Sequence, residues 1–262
     1  MYLYFIISFF ASVAGAICGI GGGVIIKPVL DLFQIAQIGT INFLSGCTVL
    51  SMSCYSVAKS MLAGEKRVSV RTGTPLSIGA ALGGLLGKQL FSILRGLFAN
   101  QNAVGAVQAG CLALITLGTL AYTLCKSHIR TRNVQSKPLC AGIGLLLGVL
   151  SSFLGIGGGP INLVVLYYFF SMDTKTAAAN SLYIIFFSQL ASLLTTLITK
   201  SVPEFSWVAL ALMVAGGIGG GIVGRSCNRR MDNRAVEHLF IGLMLLIVGI
   251  SLYNFVRCAA AG

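Results

Sequence analysis

Residues 15–30 read Gly15-Ala16-Ile17-Cys18-Gly19-Ile20-Gly21-Gly22-Gly23-Val24-Ile25-Ile26-Lys27-Pro28-Val29-Leu30. Four glycines in the five positions 19–23 interrupt a run that is otherwise apolar. Each glycine costs a helix about 1 kcal/mol relative to alanine, so a helix entering this stretch is expected to break. The cluster recurs as Gly155-Ile156-Gly157-Gly158-Gly159, 136 residues on, and Val29-Leu30 recurs as Val165-Leu166 at the same offset. Further along, Gly79, Gly83, Gly84 and Gly87 recur as Gly216, Gly220, Gly221 and Gly224 at an offset of 137, with Lys88 aligned on Arg225. Two motifs repeated in order at nearly constant spacing mark an internal duplication. Secondary transporters are commonly built this way, and channels also use duplication.

The repeats sit in a chain of apolar runs: 2–18 with 24–38, then 41–62, 72–94, 103–125, 139–154 with 160–172, 177–199, 205–224 and 236–256. About 20 helical residues span the ~30 Å hydrocarbon layer. The pattern therefore predicts an all-α polytopic membrane protein of about eight hydrophobic segments, the first and fifth broken by Gly-Ile-Gly-Gly-Gly. The longest polar stretch, 126–138, divides the chain. Residues 1–125 read as one four-segment repeat, 126–138 as a basic connecting loop, and 139–262 as the second repeat.

Composition agrees. Hydrophobic residues make up 56% of the 262 and charged residues 9%, against roughly 25% charged in soluble domains. The +12 formal charge would suggest nucleic acid in a soluble protein. Here the cations fall mostly between apolar runs, where they orient the chain and meet lipid headgroups, so the expected partner is the bilayer and not nucleic acid. The eight cysteines form no C-x-x-C and read as small buried side chains, with no metal or disulfide framework. Residues 2–10 with Ala14-Gly15-Ala16 resemble a signal peptide, but no basic region precedes them, and the segment reads as retained.

The cations also bear on topology. If all eight segments simply cross, Lys and Arg divide 10 against 8 between the two sides. If the first and fifth segments dip in and return, the division becomes 13 against 5. Cytoplasmic loops are enriched in Lys and Arg, so the second arrangement is preferred, and it inverts the halves relative to each other. The length of residues 2–18 keeps a full crossing open.

A broken backbone is tolerated in lipid only where protein buries it or where it lines a wet cavity. A break also creates a helix N-terminus, whose unpaired N–H groups and positive dipole end suit an anion. Pro160 follows the second cluster directly, where a first-turn proline costs no hydrogen bond. The candidate substrate-binding set is therefore Gly19, Gly21, Gly22 and Gly23 with Gly155, Gly157, Gly158, Gly159 and Pro160. Lys27, Asn42, Ser45, Asn180 and Ser181 join it as nearby polar positions. Each has a plainer use: small residues let helices pack closely, amides and hydroxyls bond neighbouring helices, and Lys27 could snorkel to the interface. The glycines at 79–87 and 216–224, spaced by three and four, favour packing. No carboxylate lies deep in an apolar run, and neither a Walker motif nor H-E-x-x-H occurs, so no enzyme chemistry, cofactor or metal is expected.

With these residues in view, the chain resembles the TauE/SafE sulfite exporter family, through residues 15–30, the second copy at 155–165 and the small-residue runs. Pro28 stands where the family's first motif has its proline; the second copy has Val164 there and sets Pro160 directly after the glycines. The resemblance implies a multi-pass transporter of the inner cell membrane that exports sulfite or small organosulfur anions. A channel-like anion pore, or a non-catalytic subunit of a larger membrane complex, remains the alternative, and a homo-oligomer fits either.

Overall fold

The computed structural model describes residues 2–33, 36–64, 70–97, 101–126, 129–156 and 158–260. They form ten helices: α1 (Tyr2–Cys18), α2 (Gly23–Leu32), α3 (Ile38–Leu62), α4 (Val70–Leu97), α5 (Gln101–Cys125), α6 (Lys137–Leu154), α7 (Pro160–Phe170), α8 (Thr174–Ile198), α9 (Trp207–Arg230) and α10 (Asn233–Ala260). Among the described residues there is no strand. Seven helices, α3 to α6 and α8 to α10, are long and apolar enough to cross a membrane. The two broken segments are the pairs α1–α2 and α6–α7, which turns eight apolar segments into ten helices.

Local chemistry sets the ends. Pro138 sits in the first turn of α6, and the N–H of left-handed Gly155 at its close donates to the carbonyls of Ser151 and Ser152, satisfying terminal acceptors that the helix cannot. The Ser206 hydroxyl accepts from the Ala209 N–H at the start of α9, and Arg229 and Arg230 occupy its last turn, where cations suit the negative dipole end.

Packing joins the halves crosswise. Gly79, Gly83 and Gly87 of α4 lie in turn against Ala141, Leu145 and Val149 of α6, and a Cβ on any of them would strike α6 backbone. Gly216, Gly220 and Gly224 of α9 likewise climb α1 from Phe5 to Phe9 to Val13. These glycines do pack helices, letting backbones approach to a distance that dispersion and weak C–H···O contacts exploit. The matched order of contacts means that α4 runs parallel to α6 and α9 to α1. Thr48 and Met52 of α3 meet Gly217 and Gly221, so α9 is parallel to α3 as well.

The broken pairs turn back. Gly15 receives the backbone of Gly21 and Gly22, so the tip folds onto α1. Tyr4 of α1 lies beside Gln37 and Thr40, where α3 begins, and α2 returns to that same end. In the second half, the backbone N–H groups of Arg132 and Val134, ahead of α6, donate to the Tyr168 and Phe169 carbonyls near the end of α7. Each broken pair thus starts and finishes at one end of the bundle. Large apolar side chains such as Leu82, Leu86, Leu114, Leu146, Ile222 and Leu245 face outward, a surface that suits lipid. Most of α3, by contrast, is buried, which places it in the interior.

Candidate functional site

The two breaks meet inside the bundle. Gly23, the first residue of α2, presses against the Ile156 carbonyl and Val49 of α3. Gly19 packs on Ala178 of α8, and Gly155 packs on the Asn42 amide of α3. The same 136-residue offset separates Gly19 from Gly155 and Asn42 from Ala178, so each break leans on the third helix of the other half. Gly19, Gly21, Gly155 and Gly158 hold φ values of 77°, 75°, 65° and 131°, which other residues adopt only under strain. Gly157 lies outside the described residues.

The faces that touch the breaks repeat as well. Asn42 and Val49 contact the breaks from α3, and Ala178 and Ile185 contact them from α8. Ser45 and Ser181 sit between those contacts at helical spacing, on the same faces. Both serines are fully buried, and neither hydroxyl has a hydrogen-bond partner among the described residues. The same holds for the Ser12 hydroxyl, beside Gly22, and for the Asn42 and Asn162 amide oxygens. Buried polar atoms are nearly always paired; Ser56, Ser77 and Ser188, among others, share this state elsewhere in the bundle, so what distinguishes these five is their place at the breaks. Asn180, in contrast, spends its Nδ2 on the Thr176 carbonyl of its own helix at 2.8 Å. The position matching Asn42 is Ala178, two residues earlier.

Lys27 does not reach for the interface. It is 4% exposed, and its ammonium donates to the Leu154 carbonyl and to Gln108 Oε1, both at 2.6 Å. Gln108 in turn donates to the Phe153 carbonyl at 2.7 Å. Lysine and glutamine together close the C-terminus of α6. The break itself presents that cluster of carbonyls in the interior, where a nearby cation is stabilised by the negative helix end.

The other carboxyl-end carbonyls are served too. Asn228 donates to Ile17 near the end of α1 at 2.6 Å. Arg257 donates to Asp31 and Leu32 at the end of α2 at 2.6 and 2.8 Å. The N-cap residues of α2 and α7 are Gly22 and Gly159, which have no side chain with which to cap those ends. The negative ends of the broken helices therefore receive donors from neighbouring helices. Gln108, Asn228, Ser12 and Asn162 escaped the sequence reading. Asn162, two residues past Pro160 in a short apolar helix, was the one with a visible signal.

Cavities lie at the two ends. Where α3 begins, a vestibule of about 980 Å³ is lined by Tyr4, Gln37, Thr40, Leu44, Glu204 and Ser206, among others. At the opposite end a pocket of about 40 Å³ opens between α1, α3, α8 and α9. Among the described residues no cluster of His, Cys, Asp and Glu could hold a metal.

Apolar spans surrounding two interrupted helices, with buried polar groups at the junction, are the architecture of a multi-pass membrane transporter. The Sulfite exporter TauE/SafE profile matches residues 4–252, and the chain belongs to that family. It is 24% identical to the "Probable membrane transporter protein YunE" of Bacillus subtilis (strain 168), over 94% of this chain and 95% of that protein. It is 25% identical to the "Probable membrane transporter protein MamO" of Magnetospirillum gryphiswaldense, over 90% of this chain and 42% of that longer protein. No solved structure matches it.

Proposed function

We propose that this protein is a secondary transporter that exports small sulfur oxyanions, sulfite or an organosulfonate, across the inner cell membrane. The observation that carries the reading is the asymmetry of capping. Gly22 and Gly159 open α2 and α7 at the junction with no side chain to cap them, while the carbonyl ends of α1, α2 and α6 receive donors. An anion would complete the N–H groups and gain from both dipoles. Ser45, Ser181, Ser12 and the backbone of Gly22, Gly23, Gly158 and Gly159 would contact it directly, and Lys27 would act one step away by holding α6. Asn42 would steady the second break and Asn180 its own helix.

The halves are proposed to be inverted repeats, 1–125 and 139–262, with α1–α2 and α6–α7 re-entrant from opposite faces. Crosswise packing at a common offset supports this, and so does the return of each broken pair to its starting end. The end carrying the 126–138 and 225–234 loops would be cytoplasmic. The test is uptake of radiolabelled sulfite into proteoliposomes, competed by sulfate, thiosulfate, sulfoacetate or a small organic cation. Saturable flux blocked by sulfur oxyanions and untouched by the cation is expected, with flux lost in Gly22→Leu and Gly158→Leu, whose side chains would fill the approach to the N–H groups. Flux that follows the cation, or wild-type flux in both variants, refutes the assignment.

A further inference from the structure

Two layers of side chains flank the junction, related by the internal repeat but different in chemistry. Five buried residues pack as an apolar cluster apart from the main core: Ala16 of α1, Val49 and Met52 of α3, and Leu182 and Ile185 of α8. Val49 and Ile185 stand at its centre, one against Gly23 and the other against Gly158. Met52 and Leu182 lie about a turn from them, toward the end where α3 finishes and α8 begins. Ala16 and Leu182 also line the small pocket at that end, so the cluster stands between the breaks and that pocket.

An offset of 136 carries these five onto Ser152, Ile185, Ser188, Gly46 and Val49. Val49 and Ile185 exchange places. The other three change character: alanine, methionine and leucine give way to serine, serine and glycine. The contacts match across the two layers. A Cβ on Gly224 of α9 would meet the Ala16 Cβ at 2.8 Å, and one on its counterpart Gly87 of α4 would meet the Ser152 Cβ at 3.0 Å. A Cβ on Gly221 would meet Met52, and one on its counterpart Gly84 would meet the Ser188 and Ser152 hydroxyls at 3.3 and 3.4 Å. Both hydroxyls are buried, and neither has a hydrogen-bond partner among the described residues. Gly46 and Ser188 lie on the vestibule side of Val49 and Ile185, since α3 begins there and α8 leads into Ser201 of the vestibule lining.

We infer that Ala16, Met52 and Leu182 form an apolar gate closing the junction off from the end where α3 finishes, and that Ser152 and Ser188 line the anion's route between the junction and the vestibule, a reading that rests on the proposed anion transport. An apolar constriction excludes water and the hydrated ion with it. Hydroxyls without partners can instead donate to an anion that has shed part of its water. The two halves share one backbone plan, so three side chains, and not the fold, make one side closed and the other polar.

Thiol labelling tests the gate without requiring flux. In a cysteine-free background, Val49→Cys sets a reporter at the centre of the cluster, and Val202→Cys, in the vestibule lining, marks the vestibule face. Right-side-out and everted membrane vesicles are treated with two impermeant methanethiosulfonates of similar size, one bearing a sulfonate and one a trimethylammonium group. The sulfonate reagent should modify position 49 at least about tenfold faster from the vestibule face. Met52→Ser, the residue the repeat has at that place, should raise the rate from the other face about tenfold, because a fully buried apolar side chain no longer favours the closed gate. Leu182→Ala should act likewise, and Met52→Leu, which keeps an apolar side chain, should hold the gate closed. Ser152→Ala with Ser188→Ala should slow the sulfonate reagent from the vestibule face about tenfold, the effect of a lost hydrogen bond to a charged group, and spare the cationic one. Equal wild-type rates from the two faces, or an unchanged rate in both Met52→Ser and Leu182→Ala, overturns the gate. No slowing in the double alanine variant, or equal slowing of both reagents, overturns the hydroxyl route. Absence of sulfite or competing-anion flux in the wild type brings down the transport reading, on which the labelling rates do not depend.

Discussion

Replacing Lys27 with methionine keeps the length of the side chain and removes its charge and both hydrogen bonds. The ammonium donates to the Leu154 carbonyl and to Gln108 Oε1 at 2.6 Å each, at a site 4% exposed. Hydrogen bonds to a charged group contribute about 1.5–3 kcal/mol each, and a buried acceptor left unpaired costs about 1–3 kcal/mol. Two such bonds set a gross loss of about 3–6 kcal/mol. Methionine buries well in the same space and no longer carries an ammonium that resists burial, which returns part of this. A net loss of about 3 kcal/mol should lower Tm by roughly 6–12 °C, using the 2–4 °C per kcal/mol seen for chains of similar size. The assay is thermal unfolding of detergent-purified protein, followed by the fraction that stays monodisperse. The cycle with Gln108→Leu adds a second reading. Because the two side chains share the cap on α6, Lys27→Met should cost at least about 1 kcal/mol less in the Gln108→Leu background. A Tm within about 2 °C of wild type, or strictly additive costs, would refute the capping role. A raised KM with unchanged Tm would return Lys27 to direct contact with the anion.

Ser45→Ala and Ser181→Ala remove buried hydroxyls that lack partners, so stability should hold or rise by up to about 1 kcal/mol while sulfite KM increases; a fall in stability with unchanged KM would make them packing residues. Gly83→Ala should sharply reduce the yield of folded protein, because the new Cβ meets the Leu145 backbone of α6. Gly142→Ala, whose Cβ would meet nothing within 4 Å, should be neutral or stabilising by about 0.5–1 kcal/mol; equal yields for the two would undercut the close α4–α6 packing. In a cysteine-free background, single cysteines at 133 and 231 should label from one face of the membrane and one at 202 from the other; labelling of 133 and 231 from opposite faces would defeat the inverted arrangement.

The helical segments were legible because helix formation and partition into lipid are local properties. Twenty apolar residues in a row carry that information wherever the chain later goes. The glycine clusters were legible for the same reason, since four glycines in five weaken a helix from within. Even the packing role of Gly79, Gly83 and Gly87 showed in their spacing, which keeps them on one face of α4.

The polar residues behaved otherwise. On sequence, Asn42, Ser45, Thr48 and Ser51 form one stripe at every third position. In the fold, Thr48 and Ser51 bond carbonyls of their own helix, at Leu44 and Cys47, while the face toward the breaks runs through 42, 45 and 49. Asn180 joined Asn42 as a polar position near the breaks, yet Ala178 holds the place against Gly19 that matches Asn42. Lys27 offered two uses on sequence, the interface or a cavity, and its partners came from Gln108 and Leu154, 81 and 127 residues away.

The amino-acid sequence thus determined how many helices there are, where two of them break, and which glycines draw helices together, because each depends on residues within a turn or two. Only the tertiary structure decided that each break rests on the other half, and that donors from α5, α9 and α10 reach the carbonyl ends of the broken helices. A hydrogen bond or a shared pocket requires two groups within a few ångströms. When one group lies on α2 and the other on α5 or α6, that distance exists only once the bundle has closed.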